Sequence, residues 1–327
     1  MKPNLFTHAT SELSQDAFIL WLLEWANPKC ATEDKALHET AQEFVRLLLN
    51  NKDLEISSVE CKKQEHHIDV FAIVNEEYAL IIEDKTNTSE HGNQLKRYSE
   101  WVKGKEQYSE LDLHCIYYKT GNESYAKLKR LEENYTKEYP EENFSIITRE
   151  DVLSVLKQST TTNAIFCDYV EHLQKIQDLT DSYLSLPIKK WSWEAWQGFY
   201  MALEKELQTG DWGYVANPNG GFWGFWWHWK QLCSRPEVEL YLQFEQNKLC
   251  VKAYNKNAKN DGIQYSNKLI KFAKEKNIST LPIKRRTGIT MTLTAIDLQN
   301  FDTLDMPDLI KQLREIENFL DEASRYL

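Results

Sequence analysis

The stretch YALIIEDKTNTSEHGNQLKRY, residues 78 to 98, runs from an apolar segment straight into three ionisable residues, Glu83, Asp84 and Lys85. Charges at the end of a buried strand cost free energy unless they are paired, hydrated or bound to a metal. Residues two apart on a strand share a face, so Glu83 and Lys85 point one way and Asp84 the other. Asp69 begins the preceding apolar run, fourteen positions before Glu83, and a short hairpin brings the two carboxylates side by side. Such a pair disfavours joint ionisation unless a divalent cation sits between them. Hard oxygen ligands suit Mg2+, or Mn2+ in its place, which polarises a phosphodiester and helps to generate hydroxide. Lys85 is then the cation facing the substrate, placed to orient the attacking water and to offset charge building on the phosphoryl oxygens.

Other side chains fall near this group. Gln94 and Tyr98 stand four apart, on one face of a helix that follows the charged strand. Glu12, in ATSELSQDAF, opens the first helix, where the helix dipole favours a carboxylate, and is a further candidate ligand for the metal or its water. His66 and His67 flank the Asp69 strand; adjacent on a strand they point to opposite faces, so they read as structural, with at most one assisting. Lys63 before the same strand is a candidate phosphate contact only.

The elements that must position these residues follow from periodicity. Phe18, Trp21, Leu22 and Trp25 fall on one helical face, and residues 36 to 50 repeat the pattern. Three strand-like runs follow, 54 to 61, 68 to 74 and 78 to 85, with NEE (75 to 77) as a tight connection, which implies an antiparallel meander. A helix over about 92 to 103, a strand at 113 to 119 and a strand at 144 to 148 come next; Thr148 and Asp151 then cap a helix starting REDVLSVL. A further helix spans about 162 to 178. The polar, proline-ending segment TDSYLSLP, residues 180 to 187, marks a boundary between a domain at 1–180 and a second at 187–327. Eight of the eleven tryptophans lie between 191 and 229, which sets a separate core. There the pattern gives a helix at 192 to 208, four strands between about 212 and 295, a helix near 264 to 277 and a closing helix at 306 to 324.

Composition bounds the rest. The 327 residues, 42% hydrophobic, are enough for one large or two ordinary domains, and the six scattered cysteines form neither a zinc pattern nor a disulfide scaffold. No apolar signal core or spanning segment is read, so a cytoplasmic, membrane-independent protein is expected. The net charge of -11 is uneven: residues 1 to 187 hold 20 basic and 33 acidic side chains, and residues 188 to 327 hold 19 and 17. Within 248 to 286, eleven Lys or Arg face only Asp261 and Glu275. This stretch, with Lys268, Lys271, Lys274, Lys276, Lys284, Arg285 and Arg286, reads either as a phosphate-gripping surface or as an electrostatic dock for the acidic domain, and KRRTG (284 to 288) as a hairpin tip. In GGFWGFWWHW (220 to 229), Phe222, Trp226 and His228 alternate with Trp223, Phe225, Trp227 and Trp229, so the pattern favours a strand covered on two sides over a base-stacking platform.

Asp69, then Glu83-Asp84-Lys85 as an E-x-K element, resembles the PD-(D/E)XK nuclease superfamily; Gln94-x-x-x-Tyr98 is similar to the Q-x-x-x-Y motif of its RecB-like members, and Glu12 stands where they carry a first-helix acid. The resemblance covers roughly residues 5 to 178. It implies an α/β fold with a restriction-endonuclease-like core, α-βββ-α-β with a mixed sheet flanked by helices, followed here by a C-terminal α+β domain suited to substrate recognition. It also implies Mg2+-dependent cleavage of nucleic acid, DNA more often than RNA, with Asp69, Glu83 and Glu12 toward the metal, Lys85 activating or stabilising, and Gln94 with Tyr98 orienting. Ile68 replaces the motif's proline, and Asp84 stands where an apolar residue is usual, which leaves the choice of metal ligand open. Two further readings are a binding protein that keeps the fold without cutting and a subunit of a phage-defence or restriction assembly. Oligomeric state, a homodimer included, is open.

Overall fold

A computed structural model of the chain describes residues 2–62, 65–88, 93–217, 220–255, 262–283 and 288–327. The chain forms two compact units, one of Met1–Glu123 with Leu128–Leu179 and one of Ser124–Lys127 with Thr180–Leu327.

The first unit opens with α1 (Glu12–Trp25) and α2 (Lys35–Leu48). Asp34 caps α2 by accepting the Leu37 N–H at 3.0 Å, and Leu37, Ala41, Phe44, Val45 and Leu48 repeat at helical spacing to give one buried stripe. Then come β1 (Val59–Lys62), β2 (Val70–Val74) and β3 (Tyr78–Lys85), an antiparallel meander whose second turn holds Asn75 and Glu76 at φ 57° and 59°. After α3 (Gln94–Lys103), β4 (Asp112–Lys119) runs parallel to β3; α4 (Tyr125–Glu138) precedes β5 (Asn143–Thr148), which is parallel to β4. α5 (Arg149–Leu156) and α6 (Ala164–Asp181) complete the unit's elements. The sheet order is β1-β2-β3-β4-β5. This mixed sheet with helices on both faces is the restriction-endonuclease-like arrangement, and β3 is its central strand.

A strand hydrogen-bonded on both edges and covered on both faces must be apolar on both. Every residue of β3 from Ala79 to Lys85 is buried. Strand alternation divides it: Leu80 and Ile82 join the cluster built with α1, α2 and Tyr169, whereas Ala79 and Ile81 join the cluster with Leu95, Tyr98 and Val102 of α3. The same alternation aims Asp84 toward α1 and Glu83 with Lys85 toward α3.

Three parts of this unit differ from the sequence reading. Residues 54–58 are not strand, and β1 begins only at Val59. His66 and His67 are not on a strand but in a short turn, Glu65–His67, with φ of 50° and 66°; His66 stacks on Trp101 at 4.9 Å, a packing role. The helix α4 is absent from the sequence reading although Leu128, Leu131 and Tyr135 recur at helical spacing and pack on one face; only Tyr135 of the three is fully buried.

The second unit contains α7 (Trp193–Leu207), β6 (Asp211–Val215), β7 (Phe222–Leu232), β8 (Arg235–Glu245), β9 (Lys248–Asn255), α8 (Gly262–Glu275), β10 (Thr280–Leu281), β11 (Thr290–Ile296) and α9 (Met306–Tyr326). It is an α+β region: its antiparallel sheet has the order β10-β11-β9-β8-β7-β6, six strands rather than the four expected. All three helices contribute to one core with Phe225, Trp227, Leu242 and Phe244. The aromatic strand is not covered on two sides. Phe225 and Trp227 are buried, Phe222 and Trp226 are half-buried, and Trp229 is 44% exposed. A register shift after Trp227, with His228 at φ 56°, breaks the alternation, and Trp229 stacks on Tyr241 at 3.9 Å.

Thr148 and Asp151 form a reciprocal capping box at the start of α5. Thr148→Ala is expected to destabilise the first unit by about 1 kcal/mol, read as a lower urea midpoint at unchanged slope; an unchanged midpoint rejects the cap as a stabilising contact.

Candidate active site

The register Val70↔Ile82 carries Asp69 to the position beside Glu83. Asp69 Oδ2 accepts the Asp84 backbone N–H at 3.1 Å and lies 3.9 Å from Lys85 Nζ. Lys85 Nζ is ion-paired with Glu83 Oε1 and donates to the Asp84 carbonyl at 3.2 Å. Glu83 is fully buried, yet neither of its carboxylate oxygens receives a well-formed hydrogen bond, so the Lys85 contact is best described as an ion pair. Two acids and an amine from neighbouring strands thus converge at the end of β3.

Electrostatics set the charges in this group. Burial, with Asp69 beside it, pushes the Glu83 carboxyl up to about 8 against the pull of Lys85. Burial also raises Asp69, with Lys85 opposing. For Lys85, burial acts to lower the amine, but Glu83 and Asp69 outweigh it and hold the group above its ordinary value. Lys85 is therefore a cation at neutral pH.

Behind β3 lies a second acidic pair that the sequence reading did not include. Asp16 is on α1, one helical turn after Glu12, and Asp84 reaches it from the strand's other face. Burial and then Asp69 push Asp16 up to about 7, and burial and then Asp16 raise Asp84 well above the carboxylate range. Asp16 Oδ1 and Asp84 Oδ2 are buried without a hydrogen-bond partner. Gln15 fixes the other Asp84 oxygen, donating from Nε2 at 2.5 Å, while Gln15 Oε1 accepts from Thr120 and Tyr169 hydroxyls, each at 3.0 Å. The signal available was the spacing in ELSQD, which puts Asp16 four residues after Glu12 on one helical face.

The remaining expected residues are placed as follows. Glu12 Oε1 accepts the Thr86 N–H at 3.1 Å and the Thr88 hydroxyl at 2.6 Å, so this oxygen holds the chain that leaves β3. Among the described residues no three Asp, Glu, His or Cys side chains are gathered as one metal-binding cluster, so Glu12, Asp69 and Glu83 do not form a ready three-ligand set. Gln94 Nε2 donates to the Tyr98 hydroxyl at 3.4 Å, and Tyr98 is buried on the face of Glu83 and Lys85. Burial raises the Tyr98 phenol against the Gln94 hydrogen bond, and Glu83 and Asp69 add to the rise. Lys268, Lys271, Lys274 and Lys276 are exposed at the α8 end of the second unit, whereas Lys63 and the tip with Lys284, Arg285 and Arg286 lie outside the described residues.

The first unit is thus a mixed sheet with an acid–acid–amine group at the end of its central strand. The sequence model of the PD-(D/E)XK nuclease superfamily matches residues 3–185, more than half of the chain, and the chain belongs to that superfamily. Neither curated proteins nor solved structures give a significant match. Members of this superfamily generally hydrolyse phosphodiester bonds and use divalent metal ions. No helix among the described residues is long and apolar enough to cross a membrane.

Glu83 and Asp16 have raised values in the folded chain, so the native state binds protons that the unfolded chain has released. Their contribution to stability is fully present below the unfolded carboxylate range and is lost as pH rises through the folded values, between about pH 4 and about pH 8. In chelator, the melting temperature should fall across that window, and Asp84→Asn should make the fall shallower. A metal-free chain that gains stability from pH 5 to pH 8 contradicts the charge states described.

Proposed function

We propose that the chain is an Mg2+-dependent nuclease that hydrolyses phosphodiester bonds, of DNA in preference to RNA. The observation that carries this reading is the pair of a half-buried Asp69 and a fully buried Glu83 with the Lys85 amine between them, ion-paired to Glu83 Oε1 and 3.9 Å from Asp69 Oδ2. Mg2+ is usually held by one or two carboxylates, several waters and the substrate phosphates, so Asp69 and Glu83 suffice without a preformed third ligand. When bound, the metal would polarise the phosphodiester and lower the pKa of a coordinated water. Lys85, held as a cation, orients water and offsets charge on the phosphoryl oxygens; its protonated state excludes it as the resting general base. Gln94 and Tyr98, as in the RecB-like variant, line the same face and orient the Lys85 side of the site. Glu12 supports the strand end and keeps one oxygen for a water. The preference for DNA rests on the superfamily's commoner substrate.

Cleavage should appear with Mg2+ or Mn2+ and vanish in chelator, measured across single- and double-stranded DNA and RNA. Asp69→Asn, Glu83→Gln and Lys85→Met should each lower the rate by roughly 10²–10³-fold or more with the circular dichroism spectrum kept. Full activity in Lys85→Met removes the role of the amine. Calorimetry that shows no Mg2+ uptake dependent on Asp69 and Glu83 favours a binding protein that retains the fold without cutting.

A further inference from the structure

The three residues after β3 are gripped from three directions. Glu12 of α1 takes the Thr86 N–H and the Thr88 hydroxyl on a single oxygen, at 3.1 and 2.6 Å. From β4, Lys119 Nζ donates to the Thr88 carbonyl at 2.5 Å and lies 3.7 Å from a Glu123 oxygen. The parallel ladder continues past the strands, with Thr120 N–H donating to the Lys85 carbonyl at 3.2 Å. Two residues beyond Lys119, the Gly121 backbone lies so close that a Cβ there would stand 1.8 Å from the Thr86 carbonyl oxygen.

We infer that residues 86–88 are a clamped platform and that Thr88, Lys119 and Gly121 are positioning residues for the Glu83–Lys85 group. Lys119 pairs in register with Lys85, so the two side chains share a face, and it is only 2% exposed. Burying an ammonium costs free energy that an apolar side chain of similar length would avoid. The ammonium here is spent on a backbone carbonyl three residues beyond Lys85, where a charge-assisted bond fixes the exit of the chain. The sheet's own ladder ends at this point, and ends of strands are where backbone hydrogen bonds open most readily. With residues 86–88 fixed, the Lys85 backbone is held on both sides, and displacement of a reacting group by about 1 Å can cost on the order of 10²-fold in rate. Glu12 thus acts on the site through the Thr86 amide and the Thr88 hydroxyl. Gly121 is required because any side chain would push the platform away from β4.

The inference rests on the nuclease reading for its effect on rate, but not for the clamp itself. Thr88 is exposed, so Thr88→Val removes the hydroxyl with little change in packing, and Thr88→Ser keeps it. The measurements are steady-state kinetics in Mg2+ on whichever nucleic acid the wild-type chain cuts, and hydrogen exchange at the Thr86 amide in chelator. Thr88→Val and Lys119→Met should each lower kcat by about 30- to 100-fold with KM within about twofold, and Thr88→Ser should return kcat to within about threefold. Thr86 exchange should accelerate by about tenfold or more in Thr88→Val and Lys119→Met, and not in Thr88→Ser. The inference is overturned by unchanged kcat in both variants, by a rise in KM at constant kcat, which makes these residues substrate contacts, or by a Thr86 amide equally protected in all chains. A wild-type chain that cuts nothing sinks the nuclease reading alone; the exchange data then decide the clamp, with faster exchange sustaining it and unchanged protection ending it.

Discussion

The structure of the first unit is governed by one constraint: its central, most buried strand ends in three consecutive ionisable side chains. Taking Glu83, Asp84 and Lys85 out of water is costly, and that cost is offset only where each finds a partner. The strand's alternation forces two separate solutions. On the α3 face the amine of Lys85 sits between Glu83 and Asp69. On the α1 face Asp84 has no cation, and the solution is a carboxamide, a second acid and a carboxyl value raised by burial. A single strand thus generates two acidic groups, one with an amine beside it and one without.

The side without an amine depends on groups far apart in sequence. Gln15 has one donor and one acceptor end, and the acceptor end is filled by the hydroxyls of Thr120 and Tyr169. This fixes the carboxamide orientation, so that its N–H must face Asp84. Tyr169 is held in place by stacking on Phe18 at 3.7 Å and by its hydroxyl contact with Tyr118 at 3.4 Å. Burial keeps both phenols above their ordinary range, so they stay protonated and available as donors. A polar network whose members are each oriented by another rigidifies the surroundings of the site; one missing member leaves a buried group unpaired.

Much of this was legible because it follows from period. The two-residue repeat of a strand assigns Glu83 and Lys85 to one face and Asp84 to the other without knowledge of the fold. The hairpin through residues 75–77 carries Asp69 back to Glu83, and Thr148 with Asp151 announces the start of α5. What was not legible depends on tertiary placement or on local backbone exceptions. Asp16 and Gln15 matter because of the rotation of α1 over the sheet, which a helical repeat alone does not define. His66 and His67 adopt positive φ, and the shift at His228 redirects Trp229; neither departure has a glycine to announce it. The helix α4 does carry an apolar stripe, Leu128, Leu131 and Tyr135, but it is narrow and set among charged residues, and the sequence reading passes over it.

The balance of charge explains why the site needs more than its amine. Five acids, Glu12, Asp16, Asp69, Glu83 and Asp84, gather about Lys85, with Lys119 in register beside it on β4, in a part of the chain where residues 1 to 187 hold 33 acidic against 20 basic side chains. A phosphodiester approaching such a surface meets repulsion that two ammonium groups do not cancel. Burial has already answered the problem in the resting chain by favouring protons on Glu83, Asp16 and Asp84. On the nuclease reading, the same raised values make Glu83 a site where a proton and a hard dication compete, so that activation and charge compensation are one event. The Asp16–Asp84 pair lies on the strand's other face, and Asp69 still acts on both of its members. Protons on that pair let the strand end carry acids on both faces at less cost in charge repulsion.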